Sequence, residues 1–203
     1  MMFEMLAELD AIRRTVAHGE GETVVVTLTR TYDAAADDVW DALTDPERLA
    51  RWFSPVTGDL RLGGTFQVEG NASGEILRCD RPAWLSVTFG SPESVVDLRL
   101  SAAGERTTLE LAHTVPLAMA GSGAGTLYVG PGWDGAFLGL GIYLRGAAVG
   151  DPRAAANAPE VLEFNTGSVD RWTAAVESSA TATPEQLAEA RAVAVQQYTV
   201  LPG

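Results

Sequence analysis

The chain has 203 residues, of which 46% are hydrophobic, and this suits one globular domain with a sizeable core. Its formal charge is −13, from 14 basic residues, all of them Arg, against 27 acidic ones. Because a net negative field repels phosphate backbones and anionic lipid, this balance argues against nucleic-acid binding. A single cysteine excludes an internal disulfide, and with two histidines it cannot form a four-ligand Cys/His zinc site. We therefore predict no metal and no cofactor.

The first residues, MMFEMLAELDAIRR, carry acids within their apolar part and lack a small-residue cleavage site, so we expect no secretory signal and a cytoplasmic location. Apolar residues at helical spacing predict an amphipathic helix over residues 2–17 that ends near Gly19. The residues that make this spacing are Met2, Met5, Leu6, Leu9, Ile12 and Val16. His18 follows at the helix end and is expected to be exposed.

The stretch TVVVTLTRTYD at 23–33 is rich in β-branched residues and predicts the first strand. One face of this strand carries Val24, Val26, Leu28, Arg30 and Tyr32. Arg30 should point inward with its apolar neighbours, where its guanidinium would meet either a carboxylate of the protein or an anionic ligand.

The segment AAADDVWDALTDPERLARWF predicts two short helices, the second with Asp45 as its N-cap and Pro46 at its first position. From there to Pro116 the apolar period changes to two, which predicts six strands near 58–62, 64–70, 73–80, 84–90, 94–101 and 106–115. The turns between them are short, so neighbouring strands should pair antiparallel. Cys79, alone in its strand, is expected to be a small core residue.

The glycine-rich stretch LAMAGSGAGTLYVG at 117–130 predicts a loop with room to move, followed by an apolar helix over 131–148. GPGWDG at the start of this helix matches the G-x-G-x-x-G spacing of a dinucleotide-binding turn. That interpretation requires a second parallel strand after the helix, and none is predicted. A membrane span is excluded as well, because Asp134 and Arg145 interrupt the apolar run.

The tail predicts two further helices, from Ser168 to about Glu177 and from Pro184 to about Tyr198, the latter started by Thr183 as N-cap. A block of strands with helices at the ends indicates the α+β class with an antiparallel sheet. We divide the chain into an N-terminal helix appendage at 1–20, a central domain at 22–150 and a helical extension at 151–203.

The apolar helix has two distinct faces on a helical wheel. Its bulky face carries Trp133, Phe137, Leu140 and Leu144. A second stripe carries Gly135, Gly139 and Gly146, and glycine costs about 0.5–1 kcal/mol per helical position relative to alanine. We predict that the bulky face lies on the sheet and that the glycine stripe receives an appended helix, either 2–17 or 184–198. The alternative is that the glycines reflect composition only. A homodimer through this stripe or through the C-terminal extension is a further hypothesis.

The stretch RTYDAAADDVWDALTDPERLARWFSP resembles the opening of the SRPBCC, or START-like, superfamily, and more narrowly the family named after the activator of the heat-shock-protein-90 ATPase. The later stretches DLRLGGTFQVEG, GEILRCDRPAWLSVTF, TTLELAHTV and GPGWDGAFLGL are similar to that family too. The resemblance covers about 22–148. It implies the helix-grip fold, in which a curved antiparallel sheet wraps a long C-terminal helix over a hydrophobic cavity. The extra N- and C-terminal helices are additions to that fold.

His113 is the main polar candidate for a site, because it shares strand parity with Leu109 and Leu111 and should point where they point. Three roles remain open for it: a hydrogen-bonded structural residue, a polar contact for a ligand, or a general base. We predict no catalytic residue. The predicted ligand-binding residues are Trp52, Phe53, Phe66, Phe89, His113, Trp133, Phe137, Leu140 and Leu144.

Three functions fit these observations. The first is a binder of a hydrophobic small molecule in the cavity, with no catalysis and no membrane insertion. The second is an enzyme of the aromatase/cyclase or dehydratase kind that uses His113 as acid or base. The third is a protein-interaction or co-chaperone-like module whose cavity is plugged. The first is favoured over the second because no other polar group is predicted to converge on His113.

Overall fold

The computed structural model describes residues 2–147 and 159–200 of the chain. Its helices are α1 (Met2–Asp10), α2 (Ala36–Thr44), α3 (Pro46–Trp52), α4 (Leu117–Ala120), a 3₁₀ helix (Gly123–Tyr128), α5 (Gly130–Leu144), α6 (Pro159–Ser179) and α7 (Pro184–Tyr198). Its strands are β1 (Arg13–His18), β2 (Thr23–Tyr32), β3 (Val56–Gly58), β4 (Thr65–Val68), β5 (Ser73–Asp80), β6 (Trp84–Thr88), β7 (Val95–Ala103) and β8 (Arg106–Pro116).

The strands follow the order β1-β2-β8-β7-β6-β5-β4-β3 in one sheet, and the strands from β3 to β8 pair antiparallel along the chain. The predicted α+β class with an antiparallel sheet is confirmed. The chain divides into two compact units. Unit 1 takes in Met1–Leu28, Val115–Leu138 and Arg153–Gly203, and unit 2 takes in Thr29–Thr114 and Gly139–Pro152. Helix α5 contributes its first nine residues to unit 1 and its last six to unit 2.

Local sequence signals account for several of these elements. Strand β2 alternates buried positions with half-buried or exposed ones along its length, as the pattern predicts. The carboxylate of Asp45 caps α3 by accepting hydrogen bonds from the backbone N–H groups of Glu47 and Arg48, at 2.8 and 3.3 Å. A capping box formed by Thr183 and Gln186 starts α7.

The N-terminal helix is shorter than predicted. Helix α1 ends at Asp10, and residues 13–18 form strand β1, which leaves His18 exposed at the end of a strand instead of a helix. Leu9, Ile12 and Val16 are all buried, but their spacing is compatible with a helix or with a helix followed by a strand. Hydrogen bonding to β2 in the sheet decides for the strand, and no local signal in this segment could show that.

Three further expectations are corrected. The strand expected at 58–62 lies earlier, at Val56–Gly58, and a turn follows it, because Gly58 and Gly63 have positive φ angles. Cys79 is exposed and is not a core residue. The predicted loop at 117–130 is largely helical, and Gly123–Leu127 are buried. A Cβ at Gly123 would stand 1.7 Å from the Thr181 hydroxyl oxygen, so this glycine permits close packing and does not indicate mobility.

The predicted packing on the glycine stripe is wrong for two of its three members. No described atom lies within 4 Å of a Cβ built on Gly135 or on Gly146, and Gly146 lies beyond the end of α5. Gly139 faces the backbone carbonyl of Trp52 at 3.0 Å, which belongs to α3 and not to an appended helix. The appended helix α6 instead meets α5 at Gly130, where a Cβ would stand 2.6 Å from the Trp172 indole.

Candidate functional site

Seven of the nine predicted site residues belong to unit 2, and the antiparallel register explains which of them share a face. Ile76 pairs with Val87, Val87 with Val96, and Val96 with His113, so these four form one row across strands β5 to β8. We call the face that carries this row the inner face. Leu109 and Leu111 lie on it too, and both are buried, which agrees with the expected orientation of His113.

The row ends in a polar pair inside an apolar wall. The Ser94 hydroxyl lies 2.8 Å from Nε2 of His113, and each residue is only 3% exposed. Burial lowers the pKa of His113 from 6.5 to about 4. The imidazole is therefore neutral near pH 7 and has one N–H donor and one acceptor nitrogen. The pair can hydrogen-bond an uncharged polar group without introducing a buried charge.

Two aromatic side chains, Phe89 and Phe66, belong to the inner face, and Phe89 contacts the polar pair. The ring of Phe89 stands edge-on to the His113 ring, with centroids 6.1 Å apart. Phe66 pairs with Gly74 across β4 and β5, and its Cε1 would lie 2.8 Å from a Cβ at that glycine. The ring therefore covers the glycine backbone. Phe66 and Phe89 are both half-buried, so part of each ring remains accessible.

Helix α3 and the last part of α5 hold the other predicted residues of unit 2. The indole N–H of the buried Trp52 donates to the Ala42 carbonyl at 3.0 Å, which fixes its orientation, and the Phe53 ring lies 5.5 Å away, centroid to centroid. Leu140 is 1% exposed, whereas Leu144 is half-buried. Trp52 and Leu140 are therefore core residues, and Phe53 and Leu144 retain accessible surface.

Trp133 and Phe137 belong to unit 1, on the first part of α5. Trp133 is half-buried and Phe137 is 2% exposed. These two remain predicted ligand-binding residues.

Arg30 points inward, as its strand parity predicts, and is buried. Its guanidinium lies 4.8 Å from the centroid of the Tyr32 ring, a cation–π distance. A Cβ at Gly141 of α5 would stand 2.9 Å from the same guanidinium, so a side chain at this position would displace it. Arg30 thus packs between a ring and a helix backbone in unit 2.

One polar cluster in unit 1 was not predicted from the sequence. The carboxylate of Asp134 is 0% exposed in unit 1, where it pairs with Arg14 at 2.9 Å. It also accepts hydrogen bonds from the Ser168 hydroxyl at 2.5 Å and from the Trp172 indole N–H at 3.0 Å. Burial raises the pKa of Asp134, and the neighbouring Arg14 opposes that shift. We call these four residues the Asp134 cluster.

A second polar arrangement lies on the opposite, outer face of the sheet. Trp84 is stacked between the guanidinium groups of Arg78 and Arg99, at 3.6 and 4.1 Å from the ring, and donates its indole N–H to Asp97. This explains why Trp84 is half-buried on a solvated face and does not join the core.

Within residues 2–147 and 159–200 no three His, Cys, Asp or Glu side chains come together as metal ligands. None of the helices described in these ranges is long and apolar enough to cross a membrane.

Comparisons with known proteins agree on the family. The model of the family "Activator of Hsp90 ATPase homolog 1-like protein" matches residues 33–144. The crystal structure of CalU16 from Micromonospora echinospora is 39% identical, covers 82% of this chain and 98% of its own, and superposes with a TM-score of 0.67. No curated protein matches.

Two other solved structures share the fold. EF2215 from Enterococcus faecalis is 16% identical over 87% of this chain and 96% of its own, with a TM-score of 0.63. DynU16, described as a protein in the dynemicin biosynthetic locus, is 26% identical over 60% of this chain and 47% of its own, with a TM-score of 0.53. These likenesses, with the sheet and the long helix, establish the helix-grip fold. The chain belongs to the family of proteins similar to the activator of the Hsp90 ATPase.

Proposed function

We propose that the chain binds a hydrophobic small molecule on the inner face of unit 2, with the Ser94–His113 pair as its polar contact. The observation that carries the proposal is an apolar row that ends in a buried, hydrogen-bonded polar pair, with the half-buried Phe89 ring against His113. Apolar walls with a few convergent polar groups are typical of small-molecule sites.

The same pair limits the chemistry of the ligand. A neutral imidazole and a hydroxyl offer hydrogen bonds but no charge to balance a carboxylate or an ammonium group. The ligand we expect is therefore uncharged and largely apolar, with a hydroxyl or carbonyl group that reaches Ser94 and His113. The likeness to DynU16, described as belonging to a biosynthetic locus, supports a natural product or an intermediate of its synthesis as the ligand class.

A second candidate, an enzyme of the aromatase/cyclase or dehydratase kind, is favoured by one observation. The sequence pattern predicts no polar group beside His113, but Ser94 lies there at hydrogen-bond distance. A neutral histidine bonded to a hydroxyl can take a proton from a bound substrate. Binding stays the first proposal, because a base with a pKa of about 4 is weak at neutral pH.

The experiment starts with native mass spectrometry of the purified chain, to detect a ligand that co-purifies. Binding is then measured with N-phenyl-1-naphthylamine, a neutral probe that fluoresces in apolar sites. Val87→Phe adds a ring to the inner face, and Val95→Phe adds the same ring to the outer face at another half-buried valine. We expect the first variant to weaken binding and the second to leave it unchanged; equal affinities would contradict the proposal.

The two candidates are separated by the His113→Ala variant and the co-purified molecule. A binder should return this molecule unaltered after incubation, whereas an enzyme should convert it, and the conversion should stop in the variant. The variant should bind the molecule more weakly in both cases.

A further inference from the structure

A groove of about 420 Å³ runs between strand β1 and helix α6 in unit 1. None of its lining residues belongs to the inner face of unit 2, and both of its walls lie outside the residues 33–144 that match the family. Its lining residues are Arg14, Thr15, Val16, Arg171, Ala174, Ala175, Ser178 and Ser179.

One wall of the groove is the edge of the sheet, because β1 stands at the end of the strand order. The backbone N–H of Gly19 donates to the carbonyl of Thr23 at 3.1 Å, which determines which residues of β1 turn their backbone groups toward β2. In an antiparallel pair alternate residues bond to the partner strand, so the backbone groups of Arg14 and Val16 point to the open edge. Such an edge can accept another strand.

The other wall is one face of α6. Its lining positions 171, 174, 175, 178 and 179 follow the spacing of three and four that places residues on one side of a helix. Four of these five side chains are alanine or serine. Small side chains on this face leave the groove open beside the edge of β1.

The charge of the groove differs from that of the whole chain. The chain carries a formal charge of −13, yet none of the described lining residues is acidic and two are arginines. Arg14 is held by the buried Asp134 and stays in place. Arg171 pairs with Asp10, whose side chain is 68% exposed, and such exposed ion pairs stabilise little. An incoming carboxylate can therefore take the place of Asp10 on Arg171.

We propose that this groove binds an extended, acidic peptide segment of another protein, which adds to β1 as a ninth strand. Main-chain hydrogen bonds to the edge groups of β1 would supply affinity, and small side chains of the peptide would face the alanines and serines of α6. An acidic side chain of the peptide would pair with Arg171. Within residues 2–147 and 159–200, the groove thus combines a strand edge at the end of the sheet, a wall of small residues and a guanidinium, that of Arg171, whose present partner is exposed.

The test is a selection of random heptapeptides displayed on phage against the full chain, followed by fluorescence polarisation with a synthetic copy of the enriched peptide. We expect enriched sequences to contain Asp or Glu, and Arg171→Gln to weaken their binding by about three- to fivefold, the upper range for an exposed ion pair. Replacing the acid of the peptide by its amide should remove this difference. The proposal is overturned if no sequence is enriched above an unrelated control protein.

Two further measurements locate the peptide. Ala174→Trp should fill the groove and abolish binding, whereas Ala188→Trp, at an exposed alanine of α7 away from the groove, should not. N-methylation of every second peptide residue removes the N–H donors on one side of the added strand. Methylation of the side that faces β1 should abolish binding, whereas methylation of the other side should leave binding unchanged. Equal effects of the two methylation patterns, or equal binding to both tryptophan variants, would contradict strand addition. If the wild-type chain self-associates and Ala174→Trp abolishes this self-association, the groove binds a second copy of the chain, and the proposal is overturned.

Discussion

The pH dependence of stability provides a direct test of the environment of His113. Its pKa is about 4 in the folded chain against 6.5 for an ordinary histidine, because burial disfavours the charged ring. As the pH falls below 6.5 the unfolded chain takes up a proton that the folded chain does not accept, so the folded state is destabilised. At one unit of pKa per 1.36 kcal/mol, the loss amounts to about 2 kcal/mol by pH 5 and about 3 kcal/mol by pH 4.

The measurement is urea unfolding of the wild type and of His113→Gln at pH 7 and at pH 5. The amide of glutamine can still bond to Ser94 but does not titrate, so the variant should lose about 2 kcal/mol less than the wild type over this range. Taking the difference between the two proteins removes the contribution of the 27 acidic residues. His18→Gln is the matched control, because His18 is exposed and the variant should behave as the wild type. If His113→Gln and the wild type lose equal stability, His113 is not desolvated as described.

Two other predictions concern packing in unit 1. Asp134→Asn should lower the free energy of unfolding by about 3–5 kcal/mol, because it leaves a buried guanidinium without its counter-charge. Asp10→Asn, which breaks an exposed pair, should cost less than about 1 kcal/mol, and similar losses in urea unfolding would refute the distinction. Gly130→Ala should destabilise by about 1–3 kcal/mol, because its Cβ would stand 2.6 Å from the Trp172 indole. Gly135→Ala, in the same helix, meets no described atom within 4 Å and should stabilise by about 0.5–1 kcal/mol. Thermal unfolding should show opposite shifts for the two alanine variants, and shifts of one sign would count against this packing.

The elements that could be predicted from the sequence are those whose signals are local. Asp45 caps a helix that begins at the next residue, and Thr183 and Gln186 form their capping box within a single turn. The alternation along β2 needs only the strand itself. The helix predicted over 2–17 is wrong for residues 13–17, because pairing with β2, and not composition, makes them a strand.

The residues of the candidate site also differ in whether a local signal predicts them. Strand parity predicts the direction of the His113 side chain, because parity is a property of one strand. Its partner Ser94 was missed although a signal existed: a predicted strand began at residue 94, and pairing it with the next strand would have brought the two residues close. The Asp134 cluster had no such signal, since Asp134 and Arg14 are 120 positions apart and only tertiary folding brings them together.

The Asp134 cluster has a consequence for how this chain can be divided. A fragment cut to 33–144 would keep every residue that matches the family and would lose the three partners of that carboxylate among the described residues: Arg14, Ser168 and Trp172. It would also lose the Tyr198 hydroxyl, which donates to the Tyr128 carbonyl just before α5 begins. The residues that match the family model are therefore fewer than the residues whose contacts hold the start of α5 in unit 1, and a fragment of 33–144 should be less stable than the whole chain.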